Sequence, residues 1–159
     1  MTHHVGILNT MKQKAYIFDV DGTLANVDPF IHHVRGSNKD YDAFHEASVD
    51  ALPNFEVVQM LNEAFFDQMH IIIVTSRKEV WRGLTSYWLA KNDIGHHALY
   101  MRKDNDNRPD YEVKEDILLE IKKHWNVLHA VDDNPSVIKL WENYGINTTK
   151  IGTWDGNRE

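Results

Sequence analysis

The chain of 159 residues has no cysteine, which excludes a disulfide framework and a zinc site built from thiolates. It has no apolar stretch near the roughly 18 to 20 residues that a membrane-spanning helix needs. Residues Met1–Gln13 also lack the apolar core of a signal peptide. The absence of cysteine fits a reducing compartment. We therefore expect a cytoplasmic protein with no membrane partner, and nothing in the sequence indicates a protein partner.

Basic residues are also in the minority, with 17 Lys and Arg against 24 Asp and Glu and a formal net charge of −7. This balance argues against indiscriminate binding to a phosphate backbone, which depends on clustered Lys and Arg. No GxxxxGK[ST] loop is present, so the phosphate loop of a nucleotide kinase is missing. The length predicts a single domain over residues 1–159. Residues 1–13 are expected to form a flexible leader, in which His3-His4 has no nearby partner motif for zinc.

Three short apolar runs predict buried strands: Ala15–Phe18, Ile71–Val74 and Val127–Val131. They are continuous rather than alternating, which is typical of a parallel sheet that is covered on both faces. Helical patterns lie between them, and shorter strands are predicted at Ala98–Met101 and Thr148–Ile151. Alternating strands and helices indicate an α/β fold, a three-layer Rossmann-like sandwich with a central parallel sheet.

Acidic residues follow two of these runs, where a chain usually turns. Asp19 and Asp21 follow the first, with Gly22 able to turn the chain, and Asp132 and Asp133 follow the third. The carboxyl ends of parallel strands meet at one edge of a sheet, where such folds bind ligands. Carboxylates gathered there would repel one another unless a hard cation such as Mg²⁺ lies between them. The alternative for Asp132 and Asp133 is that they only favour the positive N-terminus of the next helix.

Three further residues fit a phosphate site. Thr75 and Ser76 follow the second apolar run, where hydroxyls and backbone amides at a helix N-terminus can hold phosphate oxygens. Lys114 opens the helix before the third run. The alternatives are an ordinary helix cap for the hydroxyls and a solvated surface position for Lys114.

In this order the motifs resemble those of the haloacid dehalogenase (HAD) superfamily, over about residues 14–151. The resemblance implies a phosphatase in which Asp19 is the nucleophile and Asp21 the general acid and base. It implies Mg²⁺ held by Asp19 and Asp132, with Asp21 contributing its backbone carbonyl and Asp133 either binding the ion or supporting the residues that do. Thr75 and Lys114 would neutralise the phosphate oxygens.

A narrower resemblance links the chain to the 3′-phosphatase domain of bacteriophage polynucleotide kinase. It rests on the segments 17–25, 101–104, 108–115 and 131–141 and on the pair Ser76-Arg77. It implies a phage-encoded enzyme that removes a 3′-phosphate from a nucleic-acid end. Ser76, Arg77 and Arg35 would hold the substrate, and Asp110 would orient Lys114 or Arg77 by ion pairing.

Residues 25–69 leave room only for a short helical insert near Lys39–Ala51, so we expect a small or absent cap over an open cleft. The polar run 102–112, with Arg102, Lys103 and Arg108, could rim this cleft and contact a nucleic-acid strand. Three alternatives remain at this point. They are a nucleoside monophosphate phosphatase acting on 5′- or 3′-nucleotides, a receiver-like signalling domain that also uses an acidic Mg²⁺ pocket, and a degenerate binding module.

Overall fold

The fold is built on a five-stranded parallel sheet with the strand order β5-β4-β1-β6-β7. The structure is a computed structural model, and it describes residues 11–156. A separate two-stranded antiparallel sheet pairs β2 with β3. The strands are β1 Gln13–Phe18, β2 Ala25–Asn26, β3 Leu52–Pro53, β4 His70–Lys78, β5 Ala98–Arg102, β6 Trp125–Asp132 and β7 Asn147–Lys150.

Helices cover both faces of the sheet. They are α1 Tyr41–Ser48, α2 Phe55–Phe66, α3 Arg82–Lys91, α4 Asp110–Ile121 and α5 Pro135–Asn143, with 3₁₀ turns at Asp28–Val34 and Glu79–Trp81. One apolar core holds side chains of α1, α2 and α3, and the other holds side chains of α4 and α5. The predicted three-layer α/β sandwich is therefore confirmed. Within residues 11–156, no helix combines the length and the apolar character that crossing a membrane requires.

The continuous apolar runs arise because the central strands are buried on both sides. In β4, residues 71–74 are all fully buried, and successive side chains belong alternately to the two cores. The same alternation along β1 sends Phe18 into one core and Ile17 into the other. A strand in this position cannot show a polar face, which is why its sequence does not alternate.

The central strands end together at the edge where the acidic residues lie. Phe18 of β1 pairs with Ile73 of β4 and with Val131 of β6, so Asp19 and Asp132 lie side by side just beyond that register. Asp19 continues the contact, because its backbone N–H donates to the Val131 carbonyl at 3.0 Å. The topology thus brings two acids that are far apart in the chain to one place.

Strand β4 is longer than its apolar run predicts. It continues through residues 75–78, and α3 begins only at Arg82 after a short 3₁₀ turn. The prediction that Thr75 and Ser76 lie at a helix N-terminus is therefore wrong. The polar end of the strand remains extended because it pairs with β5 as far as Lys78.

The segment between β1 and α2 is a small insert, as expected. It contains the two-stranded β2–β3 sheet and, between these strands, a 3₁₀ turn and the eight-residue helix α1. Asp40 caps α1 by accepting from the Ala43 backbone N–H at 3.0 Å. The predicted leader lies mostly outside the described residues, and Gln13, its last residue, already belongs to β1.

The core position Leu118 and its neighbour Leu119 on α4 provide a matched test of this packing. Leu118 is fully buried, whereas Leu119 is 47% exposed. Leu118→Ala should lower the free energy of unfolding by about 2–5 kcal/mol, because it leaves a cavity beneath the sheet. Leu119→Ala should change it by less than about 0.5 kcal/mol. Urea unfolding measures both, and equal effects would contradict the assignment of the core face of α4.

Candidate active site

A tight turn after β1 presents Asp19 and Asp21. The Thr23 and Ala25 backbone N–H groups donate to the Val20 carbonyl at 3.1 and 2.9 Å. Gly22 has φ +79°, a conformation that residues with a side chain rarely adopt. The glycine between the second acid and the threonine is therefore required by the turn.

Three buried carboxylates meet at the ends of β1 and β6. Asp19, Asp132 and Asp133 each place a carboxylate oxygen within 4.8 Å of the others. All three are at most 5% exposed. This is the convergence that the motif spacing predicted.

Lys114 of α4 joins two of these carboxylates. Its Nζ donates to Asp19 Oδ1 at 3.0 Å and to Asp132 Oδ2 at 2.7 Å. The lysine is only 2% exposed, so it is a buried member of the cluster and not a surface residue. Further donors fix the same carboxylates, since Thr23 Oγ1 donates to Asp19 Oδ2 and the Asn134 backbone N–H donates to Asp132 Oδ1, both at 2.9 Å.

The cluster carries more negative than positive charge. Burial and then the neighbouring Asp132 raise the pKa of Asp19 well above its ordinary value, although Lys114 acts in the opposite direction. Burial alone would lower the pKa of Lys114, but Asp132 and Asp19 raise it overall. The arrangement is therefore one that a further cation would stabilise.

The donor set fits a hard divalent cation. Carboxylate oxygens are the ligands that Mg²⁺ prefers, and each oxygen keeps a lone pair after one hydrogen bond. Among the described residues, this cluster contains Asp19, Asp132 and Asp133 but not the carboxylate of Asp21. A contribution from the Asp21 backbone carbonyl, which the resemblance implies, stays a prediction.

The Asp21 carboxylate is held by Arg77. The guanidinium Nε donates to Oδ2 at 2.8 Å and Nη2 donates to Oδ1 at 2.5 Å, which forms a bidentate ion pair. Burial acts to raise the pKa of Asp21, but Arg77 outweighs it and the pKa lies below its usual value. Asp21 and Asp19 thus have opposite electrostatic environments although only one residue separates them.

The remaining predicted residues differ in their burial and in their hydrogen-bond partners. Thr75 is buried at the end of β4, and its Oγ1 accepts from the Arg77 backbone N–H at 3.2 Å. Ser76 Oγ is buried and has no hydrogen-bond partner in the described part of the chain, so it can still bind a ligand. Arg35 is exposed and directly follows the 3₁₀ turn at Asp28–Val34.

Two of the predicted roles in the polar run 102–112 do not match the contacts. Asp110 forms its direct ion pair with Arg102 at 2.8 Å and not with Lys114 or Arg77. Arg102 is buried and also donates to the carbonyls of Ser76, Asp106 and Arg108. The Arg108 guanidinium binds Asp106 and Asp116. Both arginines therefore hold this loop together, and the exposed cations of the predicted rim are Lys103 and Arg108.

Sequence reasoning missed several polar residues around Asp21. They are His45 and Ser48 of α1 and Thr85 of α3, all buried, and Thr23 of the turn. Thr23 had a local signal, since it lies within the first acidic motif. The other three had none, because a histidine, a serine or a threonine on a short helix is usually at the surface.

The parallel sheet of this protein carries one acidic pair after its central strand and a second pair after the neighbouring strand. This is the architecture of the HAD phosphatases. Solved structures share this fold, among them the class C acid phosphatase from Bacillus anthracis, with a TM-score of 0.69 and 13% identity. That match covers 94% of this chain and 70% of that chain.

More specific similarities point to one branch of this class. A family model described as "Polynucleotide kinase PNKP phosphatase domain" matches residues 13–155, and the chain belongs to this family. It is 27% identical over 140 residues to a protein of Autographa californica nuclear polyhedrosis virus named "Putative bifunctional polynucleotide kinase/RNA ligase". That match covers 85% of this chain and 19% of the viral protein.

A solved relative has the same fold within a larger chain. The "Structure of Pnkp1/Rnl/Hen1 complex" matches with a TM-score of 0.78 and 28% identity, over 92% of this chain and 48% of that chain. The chain therefore spans less than half the length of these two relatives. Nothing in the sequence of this chain indicates a protein partner, whereas this solved relative is described within a complex. Because the chain belongs to a phosphatase-domain family, the receiver-like alternative is removed.

His45 provides a test of the buried electrostatics near Asp21. Burial lowers the pKa of His45 to about 4 from 6.5, with Asp21 acting in the opposite direction. The unfolded chain therefore binds a proton between pH 6.5 and about 4 that the folded chain does not bind. Stability is lost as the pH falls through this window, by at most about 1.4 kcal/mol per pH unit for this one proton.

His45→Phe should remove this component, so the variant should gain stability relative to the wild type as the pH falls from 7 to 5. Urea unfolding at several pH values measures the difference. His32→Phe is the control, because His32 is an exposed histidine of the same insert. Parallel stability curves for wild type and His45→Phe would contradict the prediction.

Proposed function

We propose that the protein hydrolyses phosphomonoesters in two steps, with Asp19 as the nucleophile. The observation that carries this proposal is the position of Asp19, which ends the central strand within a buried cluster of Asp132, Asp133 and Lys114. Asp19 attacks phosphorus in line and forms an aspartyl phosphate, and water then hydrolyses this intermediate.

Asp19, Asp132 and Asp133, with the Asp21 backbone carbonyl, are the groups that would hold Mg²⁺. When bound, the ion would keep Asp19 ionised and offset negative charge on the transferring phosphoryl group. Lys114 lies 3.0 Å from Asp19 and would neutralise an oxygen of a phosphoryl group attached there. Thr75 and the unpartnered Ser76 hydroxyl are the groups at the end of β4 that would donate to phosphate oxygens.

Asp21 would exchange protons with the leaving oxygen and with the attacking water. Its ionised, Arg77-bound form is the one that takes a proton from water in the second step. In the first step it must be protonated, and a phosphate bound next to it favours this form because like charge raises a carboxyl pKa.

The substrate we propose is a polynucleotide end that carries a 3′-phosphate. The family to which the chain belongs and the names of its relatives support this choice. The small insert is compatible with a substrate that is the end of a strand. The net charge of −7 instead favours a small substrate, so a nucleoside monophosphate is the second candidate.

Asp19→Asn should reduce phosphate release to background, because a side-chain amide is a poor nucleophile and the aspartyl phosphate would not form. Release of inorganic phosphate from p-nitrophenyl phosphate and from a 3′-phosphorylated oligonucleotide measures this loss. Leu119→Ala serves as a control that leaves the site intact. Turnover of Asp19→Asn near the wild-type rate would exclude Asp19 as the nucleophile.

Removal of divalent cations should also abolish turnover, and added Mg²⁺ should restore it. The reason is that the three buried carboxylates repel one another and raise the pKa of Asp19. The measurement is activity after treatment with EDTA, followed by titration with Mg²⁺. Activity that is unchanged by the chelator would rule out the proposed dependence.

A substrate panel should distinguish the two candidates. We expect kcat/KM for a 3′-phosphorylated oligonucleotide to exceed that for 3′- and 5′-mononucleotides by about tenfold or more, since the additional phosphates and bases add binding energy. A 5′-phosphorylated oligonucleotide of the same sequence is the matched control. Equal or greater values for mononucleotides would favour the nucleotidase alternative.

A further inference from the structure

Arg77 is at the centre of a buried hydrogen-bond network that joins four parts of the chain. The arginine itself is on β4 and is 3% exposed. Its guanidinium contacts Asp21 in the turn after β1, Ser48 at the end of α1 and Thr85 within α3. The insert and the sheet are therefore connected through one side chain.

The network engages nearly all of the donor capacity of Arg77. The guanidinium has five N–H groups. Nε and Nη2 donate to the two oxygens of Asp21, Nη1 donates to Thr85 Oγ1 at 3.1 Å, and Nη2 also donates to Ser48 Oγ at 3.2 Å. Four of the five donors are thus used within the protein. This does not fit the expectation that Arg77 binds the substrate phosphate, because only one N–H group is left and a bidentate phosphate contact would require breaking buried hydrogen bonds.

The two hydroxyl groups that hold Arg77 are themselves fixed. Ser48 is 1% exposed, and its Oγ donates to the His45 carbonyl at 2.8 Å while it accepts from Arg77. Thr85 is fully buried within α3. A bidentate pair is sensitive to the angle of the guanidinium plane, so these contacts determine how the Asp21 carboxylate is oriented.

We propose that Ser48 and Thr85 are positioning residues, which hold Arg77 so that its bidentate pair orients Asp21 for proton transfer to the leaving oxygen. This inference rests on the proposed function, in which Asp21 is the general acid. It gives helix α1 a role within the reaction, since the insert supplies one of the two hydroxyls. Arg77 then acts through Asp21 and not through the substrate phosphate.

The dependence of the rate on the leaving group separates this role from a structural one. A nitrophenolate leaves without a proton, whereas the alkoxide of a sugar needs one from Asp21. A variant with a misplaced Asp21 should therefore lose activity on esters of poor leaving groups and keep it on esters of good ones. The quantity to compare is kcat/KM, because it reports the steps up to departure of the leaving group and not the later hydrolysis of the aspartyl phosphate.

The experiment measures kcat/KM for a series of aryl and alkyl phosphates, in Ser48→Ala, Thr85→Val and Arg77→Lys. We expect a steeper decline of kcat/KM with leaving-group pKa than in the wild type. The loss should be about tenfold or more for alkyl esters and less than about threefold for p-nitrophenyl phosphate, given that a displaced catalytic group costs on this scale. Thr85→Ser keeps a hydroxyl and should restore the wild-type slope.

Thr149→Val is the matched control. Its hydroxyl is within 2.8 Å of His129 Nε2 between β6 and β7, so the change removes a hydrogen bond that is not part of the network. Melting temperatures establish that each variant is folded under the assay conditions.

A uniform loss across the series, with a raised KM in Arg77→Lys, would overturn the proposal in favour of direct substrate binding by Arg77. An unchanged slope in Ser48→Ala and Thr85→Val would overturn it as well. Failure of wild-type turnover on every ester would instead reject the proposed function.

Discussion

The buried contact of Lys114 with Asp19 and Asp132 is the interaction on which the site depends. Three carboxylates at most 5% exposed could not lie within 4.8 Å of one another without compensation. The single ammonium group removes only part of the repulsion, and the pKa of Asp19 remains raised. The fold therefore maintains a site with an excess of negative charge that favours a cation, and the parallel sheet supplies the rigid framework that keeps the charges close.

The first acidic motif divides into two environments. Asp19 belongs to the cluster with Lys114 and Asp132, whereas Asp21 pairs with Arg77, on the side where α1 and α3 pack. Opposite pKa shifts follow, upward for Asp19 and downward for Asp21. Under the proposed mechanism, a bound cation lowers the first pKa and a bound phosphate raises the second. Each carboxyl group would then reach the protonation state that its role requires only when the site is loaded.

Much of the fold could be predicted because local patterns carry it. Continuous apolar runs predicted β1, β4 and β6. Helix α5 also begins at a local signal, because the Asn134 side chain accepts from the Ser136 backbone N–H at 3.0 Å. The β2–β3 pair and the polar end of β4 could not be predicted, since their conformation depends on pairing with a distant strand. The same limit applies to Asp110, whose spacing to Lys114 gave no sign that Arg102 is its partner.

The sequence alone determined which chemical groups are available: four acids at two strand ends, a lysine before the second pair and a glycine that allows the turn after the first pair. These features are local, because they depend on residue type and on position relative to an apolar run. Only the tertiary structure decided which groups face one another. It buried Lys114 between two carboxylates and paired Asp21 with Arg77. It also placed Ser48 and Thr85 around that arginine. Hydrogen bonds and charge pairs between distant segments depend on distances of a few ångströms, which are fixed by how the sheet and its helices pack.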